Sequence, residues 1–152
     1  MAANGAQCAI VTVERQLTAV VKAHVRMDEI PHAERSSRSK LAAALPSLDV
    51  GPLGRSFTLW RPSIEGRLYL EPGIVVARSF AAAGEVVPSE LPAGRTAHFL
   101  LVGPYDGLPG AWKTLLDWCA GEGLKLAGIN WQIYRDESDP SRPQAALHAL
   151  LA

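Results

Sequence analysis

Gly128-Ile-Asn-Trp-Gln-Ile-Tyr-Arg135 alternates Ile129, Trp131 and Ile133 with Asn130, Gln132 and Tyr134 behind a glycine. That period of two predicts a strand with one apolar face in the core and a hydrogen-bonding face turned the other way. An earlier stretch, Gly54-Arg-Ser-Phe-Thr-Leu-Trp-Arg61, matches it position by position: Phe57 stands against Trp131, Leu59 against Ile133, Trp60 against Tyr134 and Arg61 against Arg135. Two such copies in one short chain predict a duplicated fold.

The flanking segments follow the same plan. Residues 8–13 and 18–25 are β-prone. Asp28, Glu29 and Pro31 open a helix, and Leu41, Ala44, Leu45 and Leu48 give it an apolar stripe. His32, Arg35, Ser36, Arg38 and Ser39 would form its wet face, a solvated surface rather than an anion site. A Gly- and Pro-rich loop at 46–54 leads into the first copy, and the connection at 62–66 turns it back into a strand at 67–76. If Leu68 and Leu70 share the core with Phe57 and Leu59, then Tyr69 and Glu71 share the other face with Thr58 and Trp60.

Residues 77–93 join the halves, with Pro88 and Pro92 permitting only an edge strand around 85–91. A strand at 95–102 is followed by a turn whose Asp106 is placed to cap a helix carrying Leu108, Trp112, Leu115 and Cys119, which ends near Gly121 or Gly123. After the opening stretch come a polar turn at 136–143 and a last segment at 144–152, read as a strand because that completes the repeat. The fold class is α+β: duplicated strand-helix-strand-strand units, antiparallel sheets with helices on one face, and a ligand cleft between the halves. The pseudo-repeats span about 13–76 and 94–152 of one domain covering 1–152.

A chain of 152 residues with 48% hydrophobic content can bury a core unaided. Fifteen basic residues against fifteen acidic ones leave no net field for nucleic acid or an anionic membrane, so neither is an expected partner. Cys8 and Cys119 belong to no CxxC motif and read as reduced thiols. No secretory leader is apparent, and no apolar run approaches the roughly 18 residues of a membrane span, so a cytoplasmic location is expected. His24, His32, His98 and His148 lack the short spacing of zinc sites, and no metal or cofactor is expected.

Five stretches carry a resemblance to a known family. They are Thr18-Ala-Val-Val-Lys-Ala-His-Val-Arg-Met-Asp-Glu-Ile30, Glu65-Gly-Arg-Leu-Tyr-Leu-Glu-Pro-Gly-Ile-Val75, Gly84-Glu-Val-Val-Pro-Ser-Glu-Leu-Pro-Ala-Gly94, Val102-Gly-Pro-Tyr-Asp-Gly-Leu108 and Trp131-Gln-Ile-Tyr134. In order and spacing they resemble the small-molecule-binding domain of gyrase-inhibitor-like proteins, which bacterial AraC- and MerR-type multidrug regulators use as an effector-binding domain. The resemblance implies a ligand held between the two halves. It also marks two departures. The family pattern Trp-Glu-x-Tyr carries a buried glutamate that selects cationic aromatic ligands, and here that position is Gln132. The aromatic residue usual near the end of the last strand is replaced in the run Leu147-His148-Ala149-Leu150.

The candidate ligand-binding residues are therefore Trp60, Tyr69, Glu71, Gln132, Tyr134 and His148. Trp112 and Trp118 read as core and helix-surface residues rather than ligand contacts. Residues 1–12 are too short for a helix-turn-helix, so a stand-alone ligand binder is expected. The leading expectation is binding of lipophilic aromatic small molecules for sequestration or sensing, with neutral ligands favoured. The alternative is a hydrolase of strained, cyclopropane-bearing electrophiles, with Glu71 and Tyr134 as candidate catalytic groups. An inhibitor of a protein such as gyrase is a third class, without support from the balanced charge.

Overall fold

The computed structural model describes residues 8–135 and 143–152, so the polar turn expected at 136–143 lies, up to Pro143, outside the described residues. In chain order the elements are β1 (Ala9–Val13), β2 (Gln16–Val21), β3 (Ala23–Val25), α1 (Ile30–Ala44), β4 (Ser56–Ile64), β5 (Arg67–Val75), β6 (Val86–Leu91), β7 (Gly94–Val102), α2 (Leu108–Gly121), β8 (Leu126–Tyr134) and β9 (Gln144–Leu151). They form an α+β fold. Two compact units divide them, Arg15–Pro92 and the chain on either side of it. Among the described residues no helix is long and apolar enough to cross a membrane.

The unit Arg15–Pro92 pairs its strands in the order β4-β5-β2-β6, with β3 also on β5, and every ladder is antiparallel. The apolar stripe of α1 covers one face: Leu41 packs with Ala19, Val21, Val50, Val76 and Val86, and Leu45 and Leu48 join them. The edge strand β6 carries Pro88, whose missing N–H is harmless only at an edge. The flanking unit runs β1-β7-β9-β8, also antiparallel. There α2 sets Ala111, Leu115 and Cys119 against Ala97, Phe99, Ala145, Leu147 and Ala149, and Cys8 lies in the same cluster. Segment 144–152, expected to be a strand, is one over Gln144–Leu151.

The β4–β5 hairpin departs from expectation. Its turn places Glu65 and Gly66 at φ of 54° and 76°, the double positive φ of a tight two-residue hairpin turn. Beside that turn Ile64 pairs with Arg67, a register that would set Trp60 opposite Glu71 if it continued. A bulge between Arg61 and Ile64, where Pro62 supplies no ladder N–H, shifts the pairing by one residue. Trp60 therefore pairs with Leu70, Leu59 with Glu71 and Arg61 with Tyr69. Since a one-residue shift moves every side chain to the opposite face, Thr58 and Trp60 lie on the α1 side, whereas Tyr69 and Glu71 lie on the far side with Phe57 and Leu59.

Two further expectations are corrected. Arg38 is not a solvated residue of α1. Its guanidinium donates to the carbonyl oxygens of Gly73 and Phe57, each at 2.7 Å, and lies 3.3 Å from Thr58 Oγ1. Glu34, one turn earlier, accepts the Thr58 hydroxyl at 2.6 Å. The helix is thus clamped to the hairpin through a residue with five rigid donors. Asp106 does not cap α2 either: a 3-10 turn at Tyr105–Gly107 precedes the helix, Gly107 is its first flanking residue, and no side chain caps it.

Candidate functional site

The polar side of β8 is turned toward α2. Asn130 pairs with Ala149, Gln132 with Leu147 and Tyr134 with Ala145, and all three partners belong to the core beneath that helix. Trp131 and Ile133 face the other way, so the alternation is as expected, but both Trp131 and Gln132 are buried. The strand has no wet face at its centre.

Gln132 is 7% exposed and meets the demand of a buried amide with named partners. The indole N–H of Trp112 donates to its Oε1 at 2.7 Å, and its Nε2 donates to the Tyr134 hydroxyl oxygen at 2.9 Å. Indole can only donate, which fixes the amide oxygen toward Trp112 and the amide nitrogen toward Tyr134. The Tyr134 proton is consequently aimed away from residue 132. A glutamate at 132 would instead accept from both groups. The Tyr134 ring also meets Tyr105 at a centroid distance of 5.3 Å and a tilt of 55°. Asn130, one step along the same face, has a buried Oδ1 without a hydrogen-bond partner among the described residues.

His148 is not in this group. It pairs with Trp131 on the opposite face of the unit and stacks between Trp131 (5.4 Å, 19°) and His98 (4.8 Å, 24°). Thr96 Oγ1 lies 2.9 Å from its Nδ1. Burial, then electrostatic interaction with His98 and Arg135, lowers its pKa to about 4, so it is neutral at pH 7. His148, named with Gln132 among the candidate ligand-binding residues, therefore lies on the opposite face of the β8–β9 ladder from it.

In the other unit, Glu71 is 1% exposed and its two oxygens are engaged by Arg61 Nε at 2.9 Å and the Ser89 hydroxyl at 3.0 Å. Tyr69 shares that face and meets His24 at 5.8 Å. Trp60 is on the α1 side. The candidates thus separate into Gln132 with Tyr134 under α2, Tyr69 with Glu71 on the far face of β5, Trp60 beside α1, and His148 alone in its stack. Sequence reasoning missed Trp112, Tyr105 and Asn130. The one available signal was positional: Trp112 falls on the core-facing stripe of α2, so its polar nitrogen had to find a partner.

Residues 6–148 match the GyrI-like small molecule binding domain family. No curated protein matches the chain in sequence. Among solved structures, the EcmrR C-terminal domain superposes with a TM-score of 0.72 at 19% identity, covering 96% of this chain and 97% of that one. EcmrR in a DNA complex gives a TM-score of 0.80 at 17% identity; the match covers 95% of this chain and 57% of that longer chain. SAV2435, solved bound to tetraphenylphosphonium, gives 0.74 at 10% identity, with coverage of 95% and 93%. Identities this low speak for the fold alone.

Proposed function

This chain belongs to the GyrI-like family of small-molecule-binding domains, and from that premise we propose that it binds neutral, lipophilic aromatic molecules beside Trp112, Gln132 and Tyr134. The observation that carries the reading is the Trp112–Gln132–Tyr134 chain of hydrogen bonds. It puts an amide, rather than a carboxylate, where the family pattern has its buried acid, and surrounds it with aromatic rings. Aromatic faces supply area and stacking, while the amide and phenol fix orientation. A cation entering such a site loses its hydration without a counter-charge, a cost of several kcal/mol that a neutral ring system avoids.

Hydrolysis has less behind it. Gln132 cannot act as a general base, and both oxygens of Glu71 are already engaged. Binding is tested by titrating the protein with neutral acridine and following the quenching of tryptophan and ligand fluorescence. Dissociation constants in the micromolar range, weakened about tenfold or more by Tyr134→Ala, are expected. Binding no tighter than millimolar, unaffected by that substitution, would refute the reading.

A further inference from the structure

Asn130 poses a problem that the hydrogen-bond network leaves open. Its Oδ1 is buried and has no partner among the described residues, although the neighbouring polar side chain on the same face of β8, Gln132, is satisfied by Trp112 and Tyr134. Buried acceptors are nearly always paired, because an unpaired one forfeits the hydrogen bond it made to water. Asn130 is the first residue to pair regularly after the irregularity that follows Leu126, and by intrinsic preference it is badly suited to a strand. The position faces Ala149, one of the small residues of the core, and an apolar side chain would fit the pattern of that core without the penalty.

Resting on the binding reading above, we propose that Asn130 is a further ligand-binding residue, whose carbonyl oxygen accepts a hydrogen bond from an N–H or O–H group of the bound aromatic molecule. Side chains at positions 130 and 132 stand about 7 Å apart along one face of a strand. A planar bicyclic ring lying along β8 spans that distance. Its donor meets Asn130 while its faces contact the Trp112 and Tyr134 rings. The ligand class is a neutral aromatic lactam, amide or phenol, and the same group methylated at its donor is rejected because Asn130 would remain unpaired, an asymmetry larger than a hydrophobic pocket alone can generate.

The test uses carbostyril and N-methylcarbostyril, which differ by one N–H, against the wild-type protein, Asn130→Leu and, should Leu fail to fold, Asn130→Ala. Wild type is expected to bind carbostyril about tenfold or more tightly than its methylated partner. Asn130→Leu, close to isosteric, is expected to erase that preference and at the same time raise the urea midpoint of the ligand-free protein, since it removes an unsatisfied acceptor; Asn130→Ala is expected to erase the preference. A preference that survives either substitution, or a lowered midpoint in Asn130→Leu, would overturn the proposal while leaving the pocket intact. Equal affinity of wild type for both probes would do the same. If neither probe binds wild type, the pocket reading fails first and this inference with it.

Discussion

Glu34 and Trp112 hold the same place in the two units. Each is the fifth residue of its helix, and each bonds the central polar residue of the matching strand: Glu34 to Thr58 at 2.6 Å, Trp112 to Gln132 at 2.7 Å. The sequence echo between Gly54–Arg61 and Gly128–Arg135 is thus accompanied by a matching contact that docks each helix, through an acid in one unit and an indole in the other. Trp112→Phe keeps the ring contacts but leaves the Gln132 oxygen unpaired and buried. A loss of about 1–3 kcal/mol in urea unfolding is expected. Unchanged stability would show that Gln132 finds another donor.

Arg38 carries the equivalent load in the unit Arg15–Pro92, since one guanidinium serves the carbonyls of both Gly73 and Phe57. Arg38→Ala is expected to cost about 3 kcal/mol, and Arg38→Lys to recover less than half of that, because a compact ammonium cannot span two acceptors in fixed geometry. Thermal and urea unfolding of the two variants side by side would show it.

Gly73 sits where β5 passes β2 and β4. A Cβ there would lie 2.6 Å from the Ala19 carbonyl oxygen, 2.6 Å from Val20 Cγ1 and 2.8 Å from Phe57 Cζ. Backbone on one side leaves no room to yield, so Gly73→Ala is expected to destabilise by about 3 kcal/mol or to prevent folding. Gly66→Ala has open space but keeps a φ of 76°, and about 1 kcal/mol is expected from backbone strain alone.

The His148 stack makes stability depend on pH. The folded-state pKa, about 4, lies below the ordinary 6.5. The unfolded chain therefore takes up the proton first as pH falls, and stability declines between pH 6.5 and pH 4, by about 3 kcal/mol in all. His148→Phe keeps a stacked ring between Trp131 and His98 without a titrating group. Urea midpoints measured across this range are expected to fall less steeply in the variant than in wild type, and parallel slopes would remove His148 as the cause.

Much of the fold was legible because hydrophobic period and turn chemistry are local. Both helices and the final strand stand where Leu41, Leu115 and the expected repeat placed them, and the hairpin turns within the connection expected at 62–66, although β4 runs on to Ile64 and leaves only Glu65 and Gly66 to turn. What was not legible depends on pairing. Pro62 is visible in the sequence, yet its consequence, a one-residue shift that moves Glu71 away from Trp60, exists only against β5. The site was half legible for the same reason. Strand parity correctly sets Gln132 opposite Trp131, but parity does not say that α2 covers the polar side. A strand buried on both faces loses the contrast that the reading relied on, and His148, given a place in the site for its position in the last strand, belongs to the face of Trp131.

The central claim is that an amide at position 132 gives a pocket without cation preference. Its most direct measurement is the affinity of wild type and Gln132→Glu for N-methylacridinium and for neutral acridine at a pH where acridine is uncharged. Wild type is expected to bind acridine at least as tightly as the cation, and Gln132→Glu to shift the ratio toward the cation by about tenfold or more. A wild-type protein that prefers the cation by that margin, or a glutamate variant with an unchanged ratio, would rule out this role for Gln132.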